Sequence, residues 1–200
     1  LGTLDDRFLP AVKNLNLTIK SGEIVGIAGV SGNGQREMAQ AIAGLRPITS
    51  GKVIISGKDL TNAPPSERFT AGLGYVPEDR LGVGLAPRLT VTENAILRCY
   101  KSLRKSIFLV SQQTVNYCKE IIDRFGVRTG PIDEPIAGLS GGNLQRLLVG
   151  RELSGNPKVV LAAQPTRGLD VQGVKAIQDL LIDERAEGVA VLLISEDLDE

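Results

Sequence analysis

Glu23-Ile24-Val25-Gly26-Ile27-Ala28-Gly29-Val30-Ser31-Gly32-Asn33-Gly34-Gln35-Arg36 is the stretch that decides the fold. Its first six residues form a short, mostly apolar run of buried-strand type. Gly29 to Gly34 is too rich in glycine to continue that strand, and from Gln35 to Leu45 the residues Met38, Ala41, Ile42 and Leu45 fall at helical spacing. Strand, glycine loop and helix open a phosphate-binding unit. Glycines let the backbone wrap an anion closely and point N–H groups at it, and the helix dipole favours negative charge at its N-terminus. Gly29 and Gly34 stand where G-x-x-x-x-G-K-[ST] wants them, but Gln35 takes the place of the lysine and Arg36 that of the hydroxyl. Taken alone, the stretch reads either as a phosphate loop or as a tight strand-to-helix turn with no ligand.

Working outward, Leu15 to Lys20 alternates as a half-buried strand does, Gly51 to Ser56 and Leu73 to Val76 read as strands, and Pro64 to Thr70 as a short helix with prolines in its first turn. Between Gly82 and Pro157 the pattern turns helical. Thr90-Val91-Thr92-Glu93 has capping-box spacing and starts a helix through Tyr100; Ser111 caps a longer one to Phe125. A third begins at Gly141 or Gly142 and ends near Ser154-Gly155, where Pro157 bars its continuation. Lys158 to Ala162 returns as a strand, Asp170 caps a helix to Glu187, and Val189 to Ile194 is a last strand. The expected fold is α/β, a P-loop sheet core (1–82 and 157–200) split by a helical insert (83–156) within one domain.

Composition narrows the function. Twenty-three Lys plus Arg balance twenty-three Asp plus Glu, which leaves no footprint of nucleic-acid binding. The chain has no histidine, so every His-dependent triad, His metal site and His general base is excluded. Cys99 and Cys118 fit two unpaired thiols in a reducing cytosol. No apolar run approaches the ~18 residues that would span a bilayer. The chain starts at Leu1 and stops in charged sequence at Glu200, which suggests a piece of something longer.

A second pair of motifs decides between the two readings of the loop. Leu139-Ser140-Gly141-Gly142-Asn143 opens a predicted helix, and 24 residues after Ser140 comes Gln164-Pro165-Thr166-Arg167-Gly168-Leu169-Asp170 at the end of a strand. Over essentially its whole length, and in the same order, the sequence resembles the nucleotide-binding domain of ATP-binding-cassette (ABC) transporters. The resemblance implies that Gly29, Ser31, Gly32, Asn33, Gly34, Gln35, Arg36 and Glu37 surround nucleotide. It makes Leu139 to Asn143 the signature, Glu78 the Q-loop position, and Gly168, Leu169 and Asp170 the D-loop. ATP and Mg²⁺ are the implied cofactors. Phe8, the only aromatic upstream, either stacks on adenine or packs on the sheet edge.

The departures are informative. A neutral Gln35 cannot make the lysine's charge-assisted contact to phosphate, worth roughly 1.5 to 3 kcal/mol, and the guanidinium of Arg36 has no lone pair for a metal. Ala163 replaces the acid that supports Mg²⁺, Gln164 the general base, and Glu196 the switch histidine; Glu78 remains a candidate Mg²⁺ ligand. The catalytic positions are therefore degenerate while the signature is retained except at Asn143, so ATP and Mg²⁺ are expected to bind weakly at this loop. The pattern looks like the second, degenerate half of bacterial sugar and nucleoside importer ATPases, nearer the nucleoside branch. That resemblance implies a second ABC nucleotide-binding domain in tandem, membrane permease subunits touching Glu78 to Tyr100, a solute-binding protein indirectly, no nucleic acid, and a peripheral place on the cytoplasmic face of the bacterial inner membrane. Two alternatives stay open: a self-sufficient ATPase in which Arg36, Glu78 and Glu196 have taken over the missing roles, and a soluble ABC protein with no transport partner.

Overall fold

The computed structural model describes residues 1–30, 32–105, 108, 109 and 111–197. In chain order the elements are β1 (Thr3–Leu4), β2 (Pro10–Val12), β3 (Ile24–Ala28), α1 (Gln35–Ala43), β4 (Ile54–Ile55), β5 (Lys58–Asp59), α2 (Pro65–Thr70), β6 (Leu73–Val76), α3 (Val91–Ile96), β7 (Arg104–Lys105), β8 (Phe108–Leu109), α4 (Ser111–Phe125), α5 (Gly141–Leu153), β9 (Val159–Ala163), α6 (Val171–Ala186) and β10 (Ala190–Ser195). The central sheet is parallel, in the order β3-β10-β9-β6, with Val191 opposite both Ile24 and Val160.

β6, β9 and β10 are buried on both faces, which is why they read as apolar runs, whereas β3, at the sheet edge, is only half-buried despite its buried-strand pattern. Val160, Ala162 and Val191 point to one side, where they meet α3, α4, α5 and α6 through Ala95, Phe125, Leu147 and Ile177. Leu161, Ala163, Leu192 and Ile194 point to the other and pack on Met38 and Ala43 of α1. The side-chain period of two along each strand thus divides the core into two clusters. Parallel strands also bring their C-terminal ends to one edge, and there the glycine loop, Glu78, Gln164 and Glu196 converge.

Four expectations need correction. Leu15 to Lys20 forms no strand; Leu15 and Ile19 are half-buried against the α1-side cluster without a ladder, and Leu15 is tied instead to Leu1. The strand expected over 51–56 shrinks to β4, paired antiparallel with β5. Gly44 ends α1 in a left-handed conformation, so Leu45 falls outside the helix and is 49% exposed. The insert is not wholly helical either: it holds the antiparallel pair β7–β8, and α3 stops at Ile96. The α3 cap is as read: Thr90 Oγ1 accepts from the Glu93 N–H while the Glu93 carboxylate accepts from the Thr90 N–H. Cys99 and Cys118 are free thiols.

Candidate functional site

The glycine loop links β3 to α1, and its close approach to β2 explains the glycines. Gly32 and Gly34 have φ of 87° and 89°, the left-handed region. A Cβ on Gly34 would stand 2.4 Å from the Ala11 carbonyl oxygen, so only a hydrogen fits. Gln35 turns back on the loop, its amide N–H donating to the Val30 carbonyl at 3.1 Å. The side chain in the lysine position is thereby committed to the loop itself. Arg36 is exposed and makes no hydrogen bond or ion pair among the described residues. Ser31, expected to join this loop's ligand contacts, lies outside the described residues.

A cavity of about 790 Å³ opens beside the loop and brings together Gly32, Gln35, Arg36, Glu37, Glu78, Ala163, Gln164 and Glu196. Of the signature, Gly141 reaches its rim. Gln164 sits at φ 51°, held by its N–H to the Ile194 carbonyl, and its Oε1 accepts from the Glu196 N–H at 3.3 Å. The two positions are thus coupled through an amide that carries no charge.

Glu78 is not available as a free carboxylate. It pairs with Arg167, 89 residues away, and Arg80 donates to the Arg167 carbonyl oxygen. Desolvation, with the neighbouring charge of Arg167 adding to it, lowers the pKa of Arg80. The Arg80 guanidinium lies 3.4 Å from where a Cβ on Gly141 would be, so the Q-loop, the loop after β9 and the signature helix meet at this one side chain.

Within the signature Ser140 and Gly141 are exposed, Gly142 and Asn143 are half-buried, and Leu139 packs on the helical-side core. Ser140 is the N-cap of the 13-residue α5, its Oγ accepting from the Asn143 N–H at 3.4 Å and from Nδ2 at 2.9 Å. Asn143 Oδ1 in turn accepts from the Arg128 N–H, so the residue that departs from the family pattern fastens the motif to the preceding loop. The D-loop stretch turns at Gly168, with φ 68°, buries part of Leu169 against the helical-side core and uses Asp170 to cap α6. Phe8 stands at the tip of the β1–β2 turn with 83% of its surface exposed, which overturns the sheet-edge packing reading.

Two features escaped the sequence. Glu152 is 2% exposed and accepts from the Tyr75 N–H, Arg98 and Arg151, joining α5 to β6 just ahead of the Q-loop. Tyr75 is 7% exposed and lines the cavity, and burial pushes its phenol up to about 12.

The model of the family described as ABC transporter matches residues 12–167. The chain belongs to the ABC transporter family. This cassette is similar to the glucose import ATP-binding protein TsgD13 of Haloferax volcanii, 44% identical over 98% of the cassette and 36% of that protein. It is likewise similar to the guanosine import ATP-binding protein NupO of Bacillus subtilis, 41% identical over 98% of the cassette and 39% of that protein. It thus spans less than two fifths of the length of these curated relatives. Among solved structures, a dimeric post-hydrolysis state of the ATP-binding cassette MJ0796 bound to ADP and Pi matches with a TM-score of 0.82 at 28% identity, over 98% of the cassette and 84% of that chain. The fold is that of the ABC ATPase.

The family implies Mg²⁺, and the residues of this cassette do not fit it. Ala163 ends in a methyl group, Arg36 is a cation, and Glu78 is held by Arg167. Among the described residues no group of three or more His, Cys, Asp or Glu could hold a metal ion. Gly32 and Gly34, by contrast, keep the left-handed turn that leads into the N-terminus of α1, the end of a helix that favours an anion.

Proposed function

We propose that the cassette is an ATP-binding domain of an ABC importer for nucleosides or simple sugars, and that it acts as the degenerate half. Its own loop holds nucleotide weakly without hydrolysing it, and its signature completes the ATP site of a second cassette. The observation that carries this reading is the contrast within one molecule. The cleft beside the glycine loop has Gln35, Arg36, Ala163 and Gln164 where charge, metal ligand and base are needed, while Ser140 and Gly141 stand exposed at the positive end of a long helix. An amide is a very poor base at neutral pH, and a phosphoryl transfer without a placed cation or base is slow by orders of magnitude.

The relatives' printed functions, import of glucose and of guanosine, support the importer reading. The partners that follow are a second cassette on the same chain, permease subunits on the side of residues 78–100, and a solute-binding protein indirectly. No helix among the described residues is long and apolar enough to cross a membrane, which is compatible with a peripheral place on the cytoplasmic face. The same reading divides the cassette into a core, 1–82 and 157–200, and a helical subdomain, 83–156, that contains α3, α4 and α5. The Glu78–Arg167 pair disfavours the self-sufficient ATPase, because the acid at the Q-loop position is already paired with a cation.

Solute uptake by the assembled importer tests the proposal. Ser140→Arg abolishes uptake by blocking closure over the partner's ATP, and Gln164→Ala leaves it nearly intact. Equal effects of the two substitutions would remove the asymmetry on which the reading rests.

A further inference from the structure

The misfit between the family's metal and these residues leads further, given the reading that the loop faces a nucleotide. A triphosphate approaching the loop needs positive charge near its terminal oxygens and donors for them. The usual sources, a lysine and a divalent cation, are absent from the residue set. Arg36 stands in the metal-ligand position, exposed, lining the cavity, and with no partner of its own among the described residues. Tyr75 lines the same cavity as Arg36.

Tyr75 supplies a second, independent observation. The side chain is more than nine-tenths buried and lines the cavity, and its hydroxyl makes no hydrogen bond among the described residues. The hydroxyl is not one of the buried unsatisfied atoms, so it is the part of this side chain that opens to the cavity and is free to meet a ligand there. Because burial holds this phenol protonated far above neutral pH, it offers a donor, and an anion is the complementary ligand.

We propose that the glycine loop of this cassette is a metal-independent polyphosphate site, in which the Arg36 guanidinium replaces the divalent cation and the Tyr75 hydroxyl donates to the same anion. A guanidinium is permanently charged and forks onto two phosphate oxygens, which suits the uncomplexed phosphate end of a nucleotide. Mg²⁺ already bound to that phosphate would bring its charge against Arg36. The acids around the site fit this division: Glu78 is neutralised by Arg167 and Asp79 accepts from the Gly82 N–H, leaving Glu37 and Glu196 to oppose the anion.

Calorimetric titration of the chain with inorganic tripolyphosphate and with ATP, each in EDTA and in Mg²⁺, tests the site. Both probes bind in EDTA at least as tightly as in Mg²⁺. Arg36→Met weakens binding in EDTA by about tenfold or more, the scale of one lost charge-assisted contact. Tyr75→Phe weakens it a few-fold, and Glu196→Gln tightens it. Melting temperatures close to that of the parent confirm that the variants are folded, and Arg36→Lys, which keeps the charge, retains most of the affinity. Tighter binding of ATP in Mg²⁺ by about tenfold, unchanged affinity in Arg36→Met, or no binding of either probe in EDTA would each overturn the inference. Signature donation is read separately, by the partner's turnover, and survives those outcomes; turnover by the cassette alone would instead remove the degenerate-half reading.

Discussion

Replacing Arg68 by methionine should cost far more than its place on a short surface helix suggests. Arg68 is 2% exposed, and its guanidinium donates to four backbone carbonyls: Ala41 at 2.5 Å, Ile42 at 2.7 Å, Thr61 at 2.8 Å and Ala63 at 3.1 Å. Two of these belong to the last turn of α1, where carbonyls run short of helical donors; Ala41 also accepts from the Gly44 N–H of the cap. A cation there also meets the negative end of the helix dipole. Each charge-assisted bond is worth roughly 1.5 to 3 kcal/mol, about 6 to 12 kcal/mol for the four, and the desolvation of the cation takes back several. The remainder, about 3 to 5 kcal/mol, is the scale on which truncating a buried charged network destabilises a protein. At about 2 to 4 °C per kcal/mol for a domain of this size, the melting temperature falls by roughly 6 to 20 °C. Urea unfolding followed by circular dichroism reads the difference, and Arg68→Lys recovers less than half of it because one ammonium cannot reach four carbonyls. A loss below about 1 kcal/mol for Arg68→Met, the size of a single ordinary hydrogen bond, would refute the anchoring of α1 described here.

Gly34→Ala places a methyl against the Ala11 carbonyl at a left-handed φ and should destabilise by at least about 2 kcal/mol in the same unfolding assay, more than the left-handed penalty alone. Gln35→Lys should strengthen ATP binding without creating phosphate release, since Arg36, Ala163 and Gln164 are unchanged; release at the rate of an intact pair would contradict this. The phenol of Tyr75 ionises near pH 12 in the fold against an ordinary 10.0, so its contribution is fully present below pH 10 and is lost as pH rises through about 12. That loss amounts to about 3 kcal/mol, and Tyr75→Phe removes it; alkaline unfolding curves of equal steepness in the two proteins would count against the burial of the hydroxyl.

Local chemistry was legible in the sequence, and non-local pairing was not. The Thr90–Glu93 capping box, the Ser140 and Asp170 caps and the glycine loop are all set by residues within a few positions of one another. A strand, however, needs a partner edge as well as an alternating pattern. Leu15 and Ile19 satisfy their burial against the core with no neighbouring strand to pair with, so the alternation misled. Glu78 and Arg167 are 89 residues apart and meet only because β6 and β9 are adjacent in the sheet. The same holds for Glu152, which reaches Arg98 and the Tyr75 N–H across the helical insert. Several residues that the resemblance named line one cavity, but it gave no sign that Glu78 was already paired or that Tyr75 would line the same cavity.

The central claim is that the signature of this cassette serves another cassette's ATP while its own loop does no chemistry. Phosphate release from a mixture tests it most directly: this chain, and a partner cassette with an intact phosphate loop whose own signature serine is replaced by arginine. Neither component should turn over ATP alone, the mixture should, and Ser140→Arg in this chain should return the mixture to background. Turnover by this chain alone, or turnover of the mixture that Ser140→Arg leaves unchanged, would contradict the account.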